Sequence, residues 1–355
     1  MMPGDPRPHL HAALADRVAA GAPGALARLE APRLRLKWAG AAGRSVRGGG
    51  APLEQDAPFR AASVTKTLTA VALLRLAGEG RLGLDQPLGE LLPTGLLGRL
   101  SGLGDLPVIT PRQLLAHTAG LYDYFHDPAF EARVAANPGR PWEPVELLEH
   151  AARHGVPTFP PGEGFGYSDS GYVLAGLTIE HLVDEPLHAV YRARILGPLA
   201  MDATYLEGHE PALAGEPAHH YRADTDLSAV TPTIDWAGGG LVTTAPDLAR
   251  FVRGLWSGQL VSAALRAEMT RWTPGVRFTP GIAVRYDDYG LGIGRFAVDG
   301  VELIGHTGFW GAFAWYAPEH DAVLVGTHND ATVDRAPLVA ELCRALRTGA
   351  ATRPP

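Results

Sequence analysis

The 355-residue chain has one cysteine, Cys343, which excludes an internal disulfide framework and any zinc or iron–sulfur site built on several thiolates. Charged residues make up only 19%, and 31 Lys and Arg face 38 Asp and Glu, for a net charge of −7. A clustered basic surface is therefore not expected, which argues against nucleic acid as a partner. No run of about 18 apolar residues occurs, so no membrane span is expected. The N-terminus shows no basic stretch followed by an apolar core, so no signal peptide is read. A cytoplasmic protein is the expectation, or a periplasmic or secreted one if a signal was removed. G-x-x-x-x-G-K-[ST], H-E-x-x-H and G-x-S-x-G are all absent. Gly290 to Arg295 misses the spacing of a dinucleotide fingerprint. No metal or cofactor is implied. The tight pairs His9/His11 and His219/His220 read as surface histidines.

What the chain has is apolar material (46%) and an excess of turn formers, 43 Gly and 30 Pro. The patterns predict a helix over Leu10–Ala20 and strands over Ala25–Leu29 and Leu34–Trp38. Gly43–Gly50 reads as a turn. Ser63–Leu76 has helical apolar spacing. Thr110-Pro111-Arg112-Gln113 is a capping box with Pro at the first helical position. Helices follow over Gly171–Leu182 and Leu187–Leu196, and Thr244 caps another. Tyr289–Val298, Val301–Ile304, Gly311–Ala317 and Ala322–Thr327 read as strands, and Pro337–Leu346 as a closing helix. Strands at both ends around a helical middle imply one sheet built from both termini. Without regular strand–helix alternation, a doubly wound parallel sheet is not expected.

The chemical candidate is Ser63-Val64-Thr65-Lys66. A serine needs help to lose its proton while attacking a carbonyl. If Ser63 opens a helix, Lys66 lies one turn on along the same face. There the serine also meets the positive end of the helix dipole. The plain alternative is an N-cap serine followed by a surface lysine. Two further segments change the balance: the Gly-rich approach to Tyr167-Ser168-Asp169, and Gly305-His306-Thr307-Gly308 between two strands.

Together these motifs resemble the serine β-lactamase and penicillin-binding-protein superfamily, where S-x-x-K recurs with two further triplets. The branch they look most like holds class C β-lactamases, D-alanyl-D-alanine carboxypeptidases, D-aminopeptidases and β-lactamase-like esterases. The stretches Leu114–Leu121, Gly239–Leu248 and Tyr289–Gly292 are also similar to the family's, in the family's order. The resemblance implies an α+β, β-lactamase/transpeptidase-like fold, an antiparallel sheet flanked by helices with an inserted mostly helical domain. Residues 1–80 and 236–355 would form the sheet domain and 81–235 the insertion.

The resemblance further implies Ser63 as the acylated nucleophile, Lys66 as base or relay, and Tyr167 as general base and acid. A buried phenol between cations ionises more easily than a free one. Backbone N–H groups of Ser63 and Phe309 would form the oxyanion hole, each contributing ~3–4 kcal/mol. Asp169, His306, Thr307 and Gly308 would contact substrate. His117 is expected to hydrogen-bond a loop. Trp310, Trp236 and Tyr124 fit either pocket walls or core. Two departures bear on substrate. His306 stands where β-lactamases usually carry Lys, which weakens the field for a substrate carboxylate. Asp169 stands where Asn is usual. It would either pair with Lys66, favouring the ammonium, or receive a cationic substrate amine. The expected function is a serine hydrolase of a small ester, or of an amide or peptide with a D-residue. The alternatives are a β-lactamase or D-alanyl-D-alanine carboxypeptidase, and a silent sensor or binding protein.

Overall fold

A computed structural model describes residues 5–273, 276 and 286–351. The other residues of the expected sheet domain lie outside the described ones. Helix α1 (Arg7–Ala19) leads into strands β1 (Gly24–Ala31), β2 (Leu36–Val46) and β3 (Gly49–Pro52). Helix α2 (Thr65–Gly78) leads into the helical middle, which includes α3 (Asp169–Val183), and α4 (Ala245–Ser257) follows it. The C-terminal part supplies β4 (Asp288–Tyr289), β5 (Gly294–Val298), β6 (Val301–Thr307), β7 (Phe313–Ala317), β8 (Ala322–Thr327) and α5 (Ala336–Ala351). These strands form one eight-stranded sheet in the order β3-β2-β1-β8-β7-β6-β5-β4. Every neighbouring pair is antiparallel. The two chain ends thus meet in mid-sheet, where β1 pairs with β8 through Leu26↔Thr327 and Glu30↔Val323.

Side-chain alternation sorts the core into two layers. Ala25, Ala27 and Leu29 of β1, Phe313, Trp315 and Ala317 of β7, and Leu324 of β8 share one apolar cluster with Leu10, Leu14, Leu338, Leu342 and Leu346 of the terminal helices. The intervening Leu26, Ala314, Val323 and Val325 join the other cluster, with α2 and α4. Cys343 is buried in the first layer, and burial raises its thiol to about 12. Among the described residues no helix is long and apolar enough to cross a membrane.

Three local readings are corrected. Gly43–Gly50 is not one turn: β2 runs through to Val46 and β3 resumes at Gly49. Gly43 takes φ +80°, which lets the strand pass against the Pro23 carbonyl. The stretch Tyr289–Val298 is two strands, broken at Gly292 (φ +72°), whose N–H donates to Leu115 O at 3.1 Å. Leu187–Leu196 is α-helical only to Tyr191 and ends in a wider π-type turn over Arg192–Leu196. The Thr110 capping box is present with both of its hydrogen bonds. A small sheet of Phe59–Arg60, Leu241–Thr243 and Tyr205–Leu206 has no counterpart in the sequence reading.

Leu324 is fully buried between β8 and the terminal helices. Leu324→Ala should lower unfolding free energy by ~2–5 kcal/mol, measured by guanidinium denaturation. A loss well under ~1 kcal/mol would contradict this placement of the core.

Candidate active site

Ser63 is delivered by the small sheet. Phe59 and Arg60 pair with Thr243 and Val242, and the Ala61 N–H donates to Leu241 O at 2.8 Å. Ala62 then takes φ +46°, a left-handed conformation rare for a residue with a side chain. Such backbone typically costs about 1–3 kcal/mol and persists only where the surroundings enforce it. Ser63 sits in the tight turn Ala62–Val64, one step before α2 rather than inside its first turn. Lys66 still follows one turn later, on the serine's side.

Helix α2 is buried nearly all round, from Thr65 to Leu74. Its polar residues therefore need internal partners. The Thr67 hydroxyl donates to Gly292 O at 2.8 Å, and the Thr69 hydroxyl to Ala237 O at 2.6 Å. Lys66 is fully buried and has three acceptors. Its Nζ donates to Ser63 Oγ at 3.0 Å, to Gly238 O at 2.9 Å, and to Asp169 Oδ1 in a still closer ion pair. Gly238 makes the approach possible, because a Cβ there would stand 2.7 Å from Asp169 Oδ1. Of the two readings of Asp169, the contact with Lys66 is the one present.

Tyr167 hydrogen-bonds Ser63 and stands with its ring centroid 4.9 Å from Lys66 Nζ. Its loop is strapped to His117 and Thr118. Gly162 N donates to Thr118 O at 2.8 Å, Gly166 N to His117 O at 2.9 Å, and Ser168 N to His117 Nδ1 at 3.1 Å. The His117 ring also lies 4.2 Å from the Tyr167 ring, centroid to centroid. The expected easy ionisation of Tyr167 does not follow. Burial first, and then the Asp169 carboxylate, push the phenol well above its ordinary range.

The third motif ends strand β6. His306 is buried. Its Nδ1–H donates to Thr307 O at 2.7 Å and its Nε2 accepts from the Tyr289 hydroxyl at 2.8 Å. Burial, helped by Lys66, lowers this imidazole to about 3, so it is neutral. Thr307 N donates to the Tyr286 hydroxyl at 2.9 Å, and Gly308 N to Ala312 O at 2.7 Å. A Cβ on Gly308 would run into Ala61 O, so the turn into Phe309 packs directly on the segment that leads into Ser63.

Ser63, Tyr167, Asp169, His306, Thr307, Gly308 and Phe309 line one cleft. Lys66 lies beneath it. Trp310 is on the wall, whereas Trp236 and Tyr124 are core residues. Three residues at or behind the cleft had no signal in the sequence. Asp123 accepts from Asp169 N (3.1 Å) and Phe125 N (3.2 Å); burial and Asp169 raise its carboxyl to about 8. Asp235 lines the cleft, and burial and Asp169 raise it to about 7. Arg335 also lines it, donates to Gly308 O and Ala312 O (both 3.2 Å), and is lowered by burial to about 10. His220 is not a surface residue: it is buried, accepts from Arg60 Nη1 at 3.0 Å, and packs on Trp310. Its former pair-mate His219 is exposed beside Asp226. Among the described residues no three His, Cys, Asp or Glu cluster to hold a metal ion.

A family described as Beta-lactamase matches residues 12–343. Esterase EstB of Burkholderia gladioli is 35% identical over 183 residues, covering 50% of this chain and 46% of that protein. The chain spans about half the length of the curated relatives it matches. Among solved structures, the D-stereospecific amidohydrolase from Streptomyces sp. is 32% identical with a TM-score of 0.82, covering 95% of this chain and 99% of the other. The D-amino acid amidase from Ochrobactrum anthropi SV3, solved with L-phenylalanine amide, is 25% identical with a TM-score of 0.84 and coverages of 98% and 99%.

The buried titratable groups set a pH window for stability. His306, His220 and His328 are each held near about 3 against 6.5 when exposed. The unfolded chain binds their protons first, so stability is lost as pH falls from 6.5 toward 3. Asp235 (about 7) and Asp123 (about 8), against 3.8 when exposed, act oppositely, and stability is lost as pH rises from about 4 to 8. These histidines, joined by the buried His117, outweigh the two carboxyls below 6.5, and the carboxyls act alone above it. The thermal midpoint should peak at about pH 6–7 and fall most steeply below about pH 4. Differential scanning calorimetry from acid to mildly basic pH checks this; a midpoint that climbs between neutral pH and about 8 would contradict it.

Proposed function

The chain belongs to the β-lactamase family, and on that premise we propose that it is a serine hydrolase that forms an acyl-enzyme on Ser63 and releases it to water. The observation that carries the reading is Lys66 Nζ at 3.0 Å from Ser63 Oγ, with the Tyr167 phenol on the same oxygen.

In this reading the substrate carbonyl oxygen points at the backbone N–H groups of Ser63 and Phe309, which stabilise the oxyanion. Ser63 Oγ attacks the carbonyl carbon. Its proton passes to Tyr167 Oη as the phenol gives its own proton to the leaving oxygen or nitrogen. The bond to the leaving group then breaks, and alcohol or amine departs. Water reverses the relay: it gives a proton through Tyr167 back to Ser63 Oγ as the acyl–oxygen bond breaks. A relay suits a phenol whose ionisation is disfavoured, because no tyrosinate has to accumulate. Lys66, held by Asp169 and Gly238, orients Ser63 Oγ and offsets the negative charge that develops on it.

The substrates proposed are small esters and amides, including amides of amino acids. The relatives' names, an esterase and D-specific amide hydrolases, support that range. A β-lactam or a peptide C-terminus would bring a carboxylate to the third motif. There His306 is neutral, so the third motif brings no charge of its own to meet such a carboxylate. A silent binder would have no use for Ser63, Lys66 and Tyr167 in mutual contact.

A fluorophosphonate probe with mass mapping should label Ser63 in the wild type and nothing in Ser63→Ala. Tyr167→Phe should lower kcat on p-nitrophenyl esters by about 10²–10⁴-fold with little change in KM. Absence of Ser63 labelling together with absence of ester turnover would leave the silent-binder reading standing instead.

A further inference from the structure

One cleft carboxylate has no part in the chemistry above. Asp235 lines the same cleft as Ser63, Tyr167 and Asp169. Its backbone carbonyl is engaged, accepting from Gly238 N at 2.7 Å and Gly239 N at 3.0 Å, which pins it at the head of the short helix Trp236–Gly239. Its carboxylate is not: among the described residues no hydrogen-bond donor or ion-pair partner engages it. The neighbouring cations are committed elsewhere. Lys66 is paired with Asp169, and Arg60 is paired with Glu207 at 2.6 Å. The wall around the carboxylate is bare by construction, since a Cβ on Gly239 would stand 3.1 Å from Asp235 Oδ2.

We propose that Asp235 receives a cationic amine of the substrate, so that the acyl group this cleft prefers is an aminoacyl group with a free ammonium. This rests on the serine-hydrolase reading and names its substrate class. A half-buried cleft carboxylate without a protein partner leaves acceptor positions open, and a ligand ammonium supplies both donors and the opposite charge. Asp169 and Asp235 both face the cleft; Lys66 is paired with Asp169, and Arg335, the cation of the lining, donates to Gly308 O and Ala312 O rather than to Asp235. The groups that act on Asp235 are Asp169 and Glu207, which disfavour its charge, and Lys66 and Arg60, which favour it. A bound ammonium adds to the second set. Asp169, the other candidate for this amine, is already occupied by Lys66. Phe125, Phe309 and Trp310 on the walls offer apolar surface to the rest of the aminoacyl side chain.

The test compares phenylalanine p-nitroanilide, D and L, with the desamino 3-phenylpropionyl p-nitroanilide at neutral pH. The wild type should favour an ammonium-bearing substrate in kcat/KM by about 10–100-fold, the range expected of a charge-assisted hydrogen bond. That ratio should collapse toward one in Asp235→Asn, mainly through KM. Phenylalaninamide should likewise inhibit the wild type better than 3-phenylpropanamide, a comparison that needs no variant. A wild-type ratio near one, or a ratio unchanged in Asp235→Asn, overturns the inference even while the fluorophosphonate labels Ser63. A wild type that neither labels nor turns over any substrate overturns the hydrolase reading and this inference with it.

Discussion

A lysine side chain with no solvent exposure has to find its hydrogen-bond partners inside the protein, and Lys66 finds three: Ser63 Oγ, Asp169 Oδ1 and Gly238 O. An unpaired buried ammonium costs several kcal/mol, so these three elements are bound to one point. Ser63 comes from the turn ahead of α2, Asp169 from the first turn of α3, and Gly238 from the short helix Trp236–Gly239 before the small-sheet strand Leu241–Thr243. The sheet built from both chain ends then brings β6 and the Gly308 turn against Ala61 and Ala62. Ser63, Asp169 and Gly238 converge on this one cation.

That convergence sets the electrostatics of the cleft. The Asp169 carboxylate that balances Lys66 also disfavours charge on Tyr167, Asp123 and Asp235. A neutral phenol beside the serine is better suited to relaying a proton than to storing one as a base. The neutral His306 gives the third motif no cation of its own, while Arg335 and Asp235 add one charge of each sign to the cleft lining.

Much of this was legible in the residue order because it is local. The Thr110–Gln113 capping box, the short apolar runs of β7 and β8, and the triplets around Ser63, Tyr167 and His306 are patterns within a few residues. What stayed hidden depends on distance along the chain. His220 is buried because Arg60, 160 residues away, binds its ring nitrogen. Asp123, Asp235 and Arg335 are single residues in ordinary loops, and only folding places them at or behind the cleft. The strands of the small sheet are two or three residues long, too short for a period to register, yet they set the backbone that presents Ser63. The ionisation of Tyr167 is set by burial and by the Asp169 carboxylate, an environment that composition does not reveal.

The central claim is that the Lys66–Asp169 pair is what readies Ser63. Stopped-flow acylation by an activated aryl ester, under single-turnover conditions, measures that step alone. Asp169→Asn should slow acylation by about 100-fold or more, the scale of losing one preorganised charge at a reacting oxygen. An Asp169→Asn enzyme that acylates at the wild-type rate would contradict the account.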